Sequence, residues 1–176
     1  MKKITLLFFI LFPLFVFSQT DIATARSQGV GATVTVTGIV TNGDELGVIR
    51  YIEDGTAGLG LYDLSATALS TAQRGDELTV SGVLVDYNGL LEMTPVNSIS
   101  NISTSNSVTP QIVTPIQIGE DTEGELVQIN NVIFSNGGSF FTSGTHDFTA
   151  NGENGKIYIR SGHPLENSLI PMGPIT

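Results

Sequence analysis

The chain contains no cysteine. That excludes disulfides, thiolate metal sites and the usual lipid acceptor of bacterial lipoproteins, so the fold must be held by its core alone. Positive charge is scarce too, with 7 Lys and Arg against 17 Asp and Glu. This balance has the wrong sign for non-specific affinity to a phosphate backbone and favours solubility, cations or uncharged ligands. There are only 2 histidines, His146 and His163. Neither sits at helix spacing with a second ligand, so a nucleophile-based or metal-dependent hydrolase lacks its base and ligand set. Both are expected as solvated loop residues. No EF-hand spacing is present, and the adjacent pairs Asp44-Glu45, Glu53-Asp54, Asp76-Glu77 and Glu120-Asp121 point to opposite faces wherever the chain is extended. They read as turn and surface residues. No cofactor is expected, with Ca2+ held by loop oxygens as the alternative.

Long hydrophobic runs are also missing, save one. Residues 4–17 are almost wholly apolar and follow Lys2 and Lys3. At roughly 14 residues the run falls short of the ~20 that span a bilayer, and Pro13 interrupts it. It reads as an export signal over residues 1–18, cut after Ser18. The expected destination is the periplasm, the cell surface or the medium, with no membrane association after cleavage. Cleavage leaves five basic residues, Arg26, Arg50, Arg74, Lys156 and Arg160, against all 17 acidic ones, a net charge of −12.

What is present is the composition of an all-β protein: short runs of Val, Ile, Thr and Leu broken by Gly, Asn, Asp and Ser. Residues 34–63 supply three strands. In the first, Val34, Val36, Gly38 and Val40 alternate with threonines, the pattern of a half-buried strand, and Gly38 suits a bulge or sharp bend. The second has two faces, Val48, Arg50 and Ile52 against Ile49, Tyr51 and Glu53. In the third, Leu59 and Leu61 oppose Gly58, Gly60 and Tyr62. With Ile52, Leu59 and Leu61 inward, Tyr51, Glu53, Gly58, Gly60 and Tyr62 share the outer face, and the glycines leave an open floor between two tyrosines. Residues 65–74 read as one short helix ended by Gly75. Thr79-Val80-Ser81-Gly82-Val83-Leu84 then echoes Thr35-Val36-Thr37-Gly38-Ile39-Val40, and Asn88-Gly89 marks a hairpin into a strand over 90–96. Residues 21–29 are a lead-in turn in which Ile22 and Ala25 are spaced to pack together.

Strand, strand, strand, short helix, strand, strand, with glycine in the first and fourth strands, resembles the oligonucleotide/oligosaccharide-binding barrel, or OB-fold. The likeness is to the OB domains of secreted bacterial nucleases and surface proteins. It is carried by Val36-Thr37-Gly38-Ile39-Val40, Tyr51-Ile52-Glu53-Asp54-Gly55-Thr56-Ala57-Gly58-Leu59, Gly75-Asp76-Glu77-Leu78-Thr79-Val80-Ser81-Gly82 and Tyr87-Asn88-Gly89-Leu90-Leu91-Glu92. The resemblance implies a five-stranded barrel over 19–104 that binds ligands on its second and third strands and adjoining loops. Tyr51, Tyr62 and Tyr87 map there, with Arg50, Glu53, Asn88 and the loops 42–47 and 86–89. Tyrosines stack on bases and sugars. The same residues also suit a half-buried sheet, and Tyr87 fits a turn-packing role. Arg50 is the nearby cation for a phosphate, whereas Glu53 and the lack of a basic patch oppose one.

Residues 105–117, rich in Ser, Thr and Asn with two prolines, read as a linker. Residues 118–176 resemble the start of a second OB-like unit, with strands expected at 126–134, 146–150 and 156–160. That unit lacks its last two strands, so a longer native chain is expected past Thr176. The fold class is therefore all-β: an OB barrel with one short helix, followed by an incomplete OB-like unit. The leading reading is a non-catalytic binding module for single-stranded nucleic acid, a glycan or a protein segment, with downstream domains of the same chain as further partners. The enzyme-class alternative is the accessory N-terminal part of a secreted nuclease or phosphoesterase. A third reading is a ligand-free spacer, in which the second unit covers the face of Tyr51 and Tyr62.

Overall fold

The computed structural model describes residues 20–175, so the expected export signal lies outside the described residues. The chain opens with α1 (Ile22–Ser27), where the sequence suggested only a turn. Its start is set by Asp21, whose Oδ1 accepts from the Thr24 amide at 2.7 Å. Asp54 Oδ2 accepts from the Ile22 amide at 2.7 Å and ties the helix to the barrel. Ile22 and Ala25, one turn apart, are both fully buried in the barrel core.

Five strands follow: β1 (Thr33–Val40), β2 (Arg50–Glu53), β3 (Gly58–Leu61), β4 (Glu77–Tyr87) and β5 (Leu90–Ser103). They close in the order β1-β2-β3-β5-β4, with β3 and β5 parallel and the other neighbours antiparallel. This is the five-stranded barrel of the OB-fold. The short α2 (Thr67–Thr71) lies between β3 and β4, and its Leu69 is buried in the core.

The alternation in β1 works as the sequence indicates, with Val34, Val36 and Val40 inward and threonines outward. This strand serves both sides of the barrel, pairing with β4 from Thr33 to Ile39 and with β2 at Ile39 and Val40. Gly38 sits at the crossing, where a Cβ would lie 3.0 Å from the Glu53 carbonyl oxygen and 3.1 Å from Ile52 Cβ. Its counterpart in the echoed motif, Gly82, lies where the β4–β5 register shifts, and a Cβ there would strike the Pro95 carbonyl. Both glycines admit a neighbouring strand at close range. Ile52, Leu59, Leu61, Val80, Leu84 and Met93 fill the interior with no exposure. Each contributes roughly 1.5–3 kcal/mol by burial.

The β4–β5 hairpin turns through Asn88 (φ 56°) and Gly89 (φ 92°), and Asp86 Oδ1 accepts from the Gly89 amide at 3.1 Å. β5 runs to Ser103, well past the expected 96, because its second half continues along β4 to Glu77.

The remaining chain builds two small sheets. β6 (Gln111–Ile112) pairs in parallel with β7 (Val127–Gln128). β8 (Val132–Phe134), β9 (Gly144–Ala150) and β10 (Glu153–Ile159) form an antiparallel sheet in the order β10-β9-β8. The strand expected over 126–134 is thus split, and Asn131 (φ 59°) lies between its halves in the left-handed region. The segment read as a linker carries β6 and a 3₁₀ turn at Pro115–Gln117, and Val113 and Pro115 are buried. A separate core gathers Phe134, Phe141, Phe148, Ile159 and Ile170, with the Phe134 and Phe141 rings edge to face at 5.1 Å.

Candidate functional site

Cross-strand register assembles the site. Tyr51 of β2 lies opposite Gly60 of β3, Gly60 opposite Glu92 of β5, and Glu92 opposite Val85 of β4. These four positions form a row on the barrel's outer face, and Gly60 is its floor. A Cβ at Gly60 would lie 3.4 Å from Tyr51 Cε1 and 3.5 Å from Glu92 Cβ, so any side chain there would occupy the space between them. Tyr62 follows β3, its amide donating to the Met93 carbonyl at 3.0 Å.

The second unit roofs this row without filling it. A cavity of about 800 Å³ remains between the barrel face and the stretch running from β10 to Leu165. Tyr51, Tyr62, Tyr87 and Tyr158, which are all 4 tyrosines of the chain, line it together. Val48, Ile49, Val85 and Leu90 add apolar wall from the barrel, and Ile157, Arg160, His163 and Leu165 come from the roof. A second cavity of about 400 Å³ shares Leu46, Tyr51 and His163 with the first, and extends the groove past Arg74, Glu45 and Glu125.

The second unit is clasped to the barrel. Arg26 donates to the Gly58 carbonyl at 3.0 Å and to Glu123 Oε2 at 2.7 Å, and the same Glu123 oxygen accepts from the Leu91 amide at 3.2 Å. The backbone of Gly124 and Glu125 lies directly over Gly58, where a Cβ would collide with it. Both glycines expected to leave open floor are buried: Gly58 lies beneath Gly124 and Glu125, and Gly60 lies beneath the side chains of Tyr51, Glu92 and Ile49.

Electrostatically the site centres on Glu92. The residue is 4% exposed, and burial pushes its carboxyl above the usual carboxylate range. Among the described residues no donor is hydrogen-bonded to it, yet its oxygens are not sealed inside protein. Burial, and then the negative charges of Glu92 and Glu123, raise the Tyr51 phenol above its ordinary value.

The other residues singled out from sequence lie elsewhere. Arg50 faces inward with Ile52 and is 1% exposed, which corrects its reading as a cation for a ligand phosphate. Its guanidinium is used up by backbone carbonyls: Nη1 on Gly47 (2.7 Å) and Ile49 (3.1 Å), Nε on Ala72 (3.0 Å) and Nη2 on Ser70 (3.2 Å). Glu53 accepts from the Leu126 amide, so it joins the two units and does not line the large cavity. Asn88 is exposed at the hairpin tip, outside the cavity lining. His146 is buried, not solvated: Nε2 is 2.8 Å from the Thr142 carbonyl and the ring meets Phe141 edge-on at 5.0 Å. Tyr158, Arg160 and His163 are additions the sequence reading missed. The signal was the clean alternation of 156–160, which puts Tyr158 on one face but cannot say what that face meets. Among the described residues no cluster of three or more His, Asp or Glu side chains is arranged to hold a metal ion, and no helix is long and apolar enough to cross a membrane.

No family model matches the chain. It is 28% identical over 131 residues to Endonuclease YhcR of Bacillus subtilis (strain 168), a match covering 66% of this chain and 10% of that protein. The chain thus spans about a tenth of the length of the curated relative it matches. Among solved structures it is similar to the hypothetical protein ygiW from E. coli, at 18% identity and a TM-score of 0.41, covering 48% of this chain and 90% of that one.

Proposed function

We propose that the chain is a non-catalytic, OB-like binding module of an exported protein, and that it takes a ring-bearing ligand in the four-tyrosine cavity. The observation that carries this reading is the convergence of all 4 tyrosines on one cavity of about 800 Å³, built from both units. That volume is within the range of small-ligand sites, and aromatic walls with few polar groups suit ring faces. Export is supported by the apolar run over residues 4–17 behind Lys2 and Lys3.

The test is titration with a ten-nucleotide oligothymidine and with chitotetraose, read by tyrosine emission, which is clean because the chain has no tryptophan. Saturable binding is expected for at least one probe. Tyr51→Ala with Tyr62→Ala should weaken it by about 1–3 kcal/mol per stacked ring. Silence with both probes, or binding indifferent to the double substitution, would falsify the site.

A second reading is supported by the similarity to an endonuclease: the module is the accessory part of a secreted nuclease or phosphoesterase whose catalytic domain lies elsewhere in a longer chain. Sequencing the surrounding reading frame tests this directly. A metal-dependent hydrolase domain in the same frame supports it, and an anchoring domain alone removes it.

A further inference from the structure

The cavity holds one group that its surroundings leave incomplete. Glu92 is 4% exposed and, among the described residues, nothing donates to its carboxylate. Burial raises its carboxyl above the usual range, and among the described residues no Arg, Lys or His forms an ion pair with it. Arg160 and His163 belong to the roof, and the Arg160 guanidinium lies against the backbone at Gly47. Buried carboxylates are normally paired with a cation or bound to a metal. A metal is poorly served here, because among the described residues no group of three or more acidic or histidine side chains gathers to hold one.

An organic cation fits the site on three counts. Tyr51 stands beside Glu92 across Gly60, so a positive nitrogen between them meets both a carboxylate and an aromatic ring. The apolar walls at Val85 and Leu90 suit a hydrocarbon body attached to that nitrogen. The strongly acidic chain attracts cations to its clefts. A phosphodiester, by contrast, would face the same carboxylate with like charge.

We propose that the cavity binds an organic ligand carrying a protonated or quaternary nitrogen, paired with Glu92 against Tyr51, with its apolar body on Val85 and Leu90. This rests on the binding-module reading and names the ligand chemistry of the same site.

The experiment compares phenethylamine, charged at neutral pH, with its near-isostere 2-phenylethanol, by ligand-observed NMR on the intact chain. The amine is expected to bind roughly tenfold or more tightly. That ratio should collapse in Glu92→Gln and persist in Glu92→Asp, with circular dichroism confirming that both variants fold. Equal binding of amine and alcohol, or a preference that survives Glu92→Gln, overturns the proposal. Oligothymidine and chitotetraose run alongside separate the two levels of inference. If either binds through Tyr51 and Tyr62 with no amine preference, the cation assignment falls and the module reading stands. If none of the four probes binds, both fall.

Discussion

Glu92 and Arg50 are both buried and ionisable, and they behave in opposite ways. Every guanidinium nitrogen of Arg50 is hydrogen-bonded, with four carbonyl partners around the start of β2 and the end of α2. Arg50→Lys should cost about 2–3 kcal/mol in denaturant unfolding, because an ammonium cannot reproduce the planar fork of donors. Glu92 has no hydrogen-bond donor among the described residues, and burial raises its pKa, so ionisation there opposes folding. The favourable contribution of its neutral form is complete below the ordinary carboxylate pKa and is lost as pH rises through the raised value. Glu53, raised chiefly by burial, has the same sign. Glu92→Gln should therefore raise the melting temperature at pH 7, and the gain should shrink towards zero near pH 4, as thermal scans across that range would show. These differences mark what was legible. Strand parity placed Tyr51 and Tyr62 together on the outer face, and the same parity puts Arg50 inward with Ile52. A charged residue at an inward position was readable only against its type, since carbonyls from a helix end distant in sequence are what make it tolerable there.

At the level of elements, helix and strand identity followed from local chemistry wherever the pattern was periodic. The β1 alternation, the Asn88-Gly89 turn and the short helix before β4 all formed. What failed to show was length and context. β5 doubles its expected run because β4 is there to pair with it, and α1, capped locally by Asp21, is also held by Asp54, far along the chain, which accepts from its first amide. Asp54 is itself a test of this. Burial would raise its carboxyl, but hydrogen bonds from the Thr56 hydroxyl and from the amides of Ile22, Thr56 and Ala57 win and hold it low. A depressed carboxylate contributes stability above its unfolded pKa, and that contribution is lost as pH falls through the folded value. Asp54→Ala should lower the melting temperature at pH 7, and the deficit should close in acid below the folded pKa. In the hairpin, Gly89→Ala should cost about 1 kcal/mol, since φ of 92° disfavours any Cβ.

Across the whole molecule, the cavity belongs to neither unit alone. Barrel residues make its floor and β10 with the following turn makes its roof, which is why Tyr158 and His163 could not be assigned from sequence: no local pattern encodes how two separate cores meet. The units touch through main chain at Gly58 and Gly124, and through Arg26 and Glu123. Gly58→Val should force the covering segment away at a cost of about 1–3 kcal/mol. The same substitution should weaken ligand binding, with proteolysis around residue 124 as a second readout. The closed strand order has a further consequence, in time rather than in energy. The first strand is sealed by the fourth, and the third is joined in parallel by the fifth, so no native contact that closes the barrel is local. Within the barrel, the β4–β5 hairpin is the longest pairing between neighbours in sequence. It can form early and wait, while the chain ends search for it. Barrels of this kind fold on the millisecond-to-second scale. A chain that closes slowly spends that interval with strand edges uncovered, and the acidic charge it carries keeps such half-closed copies apart.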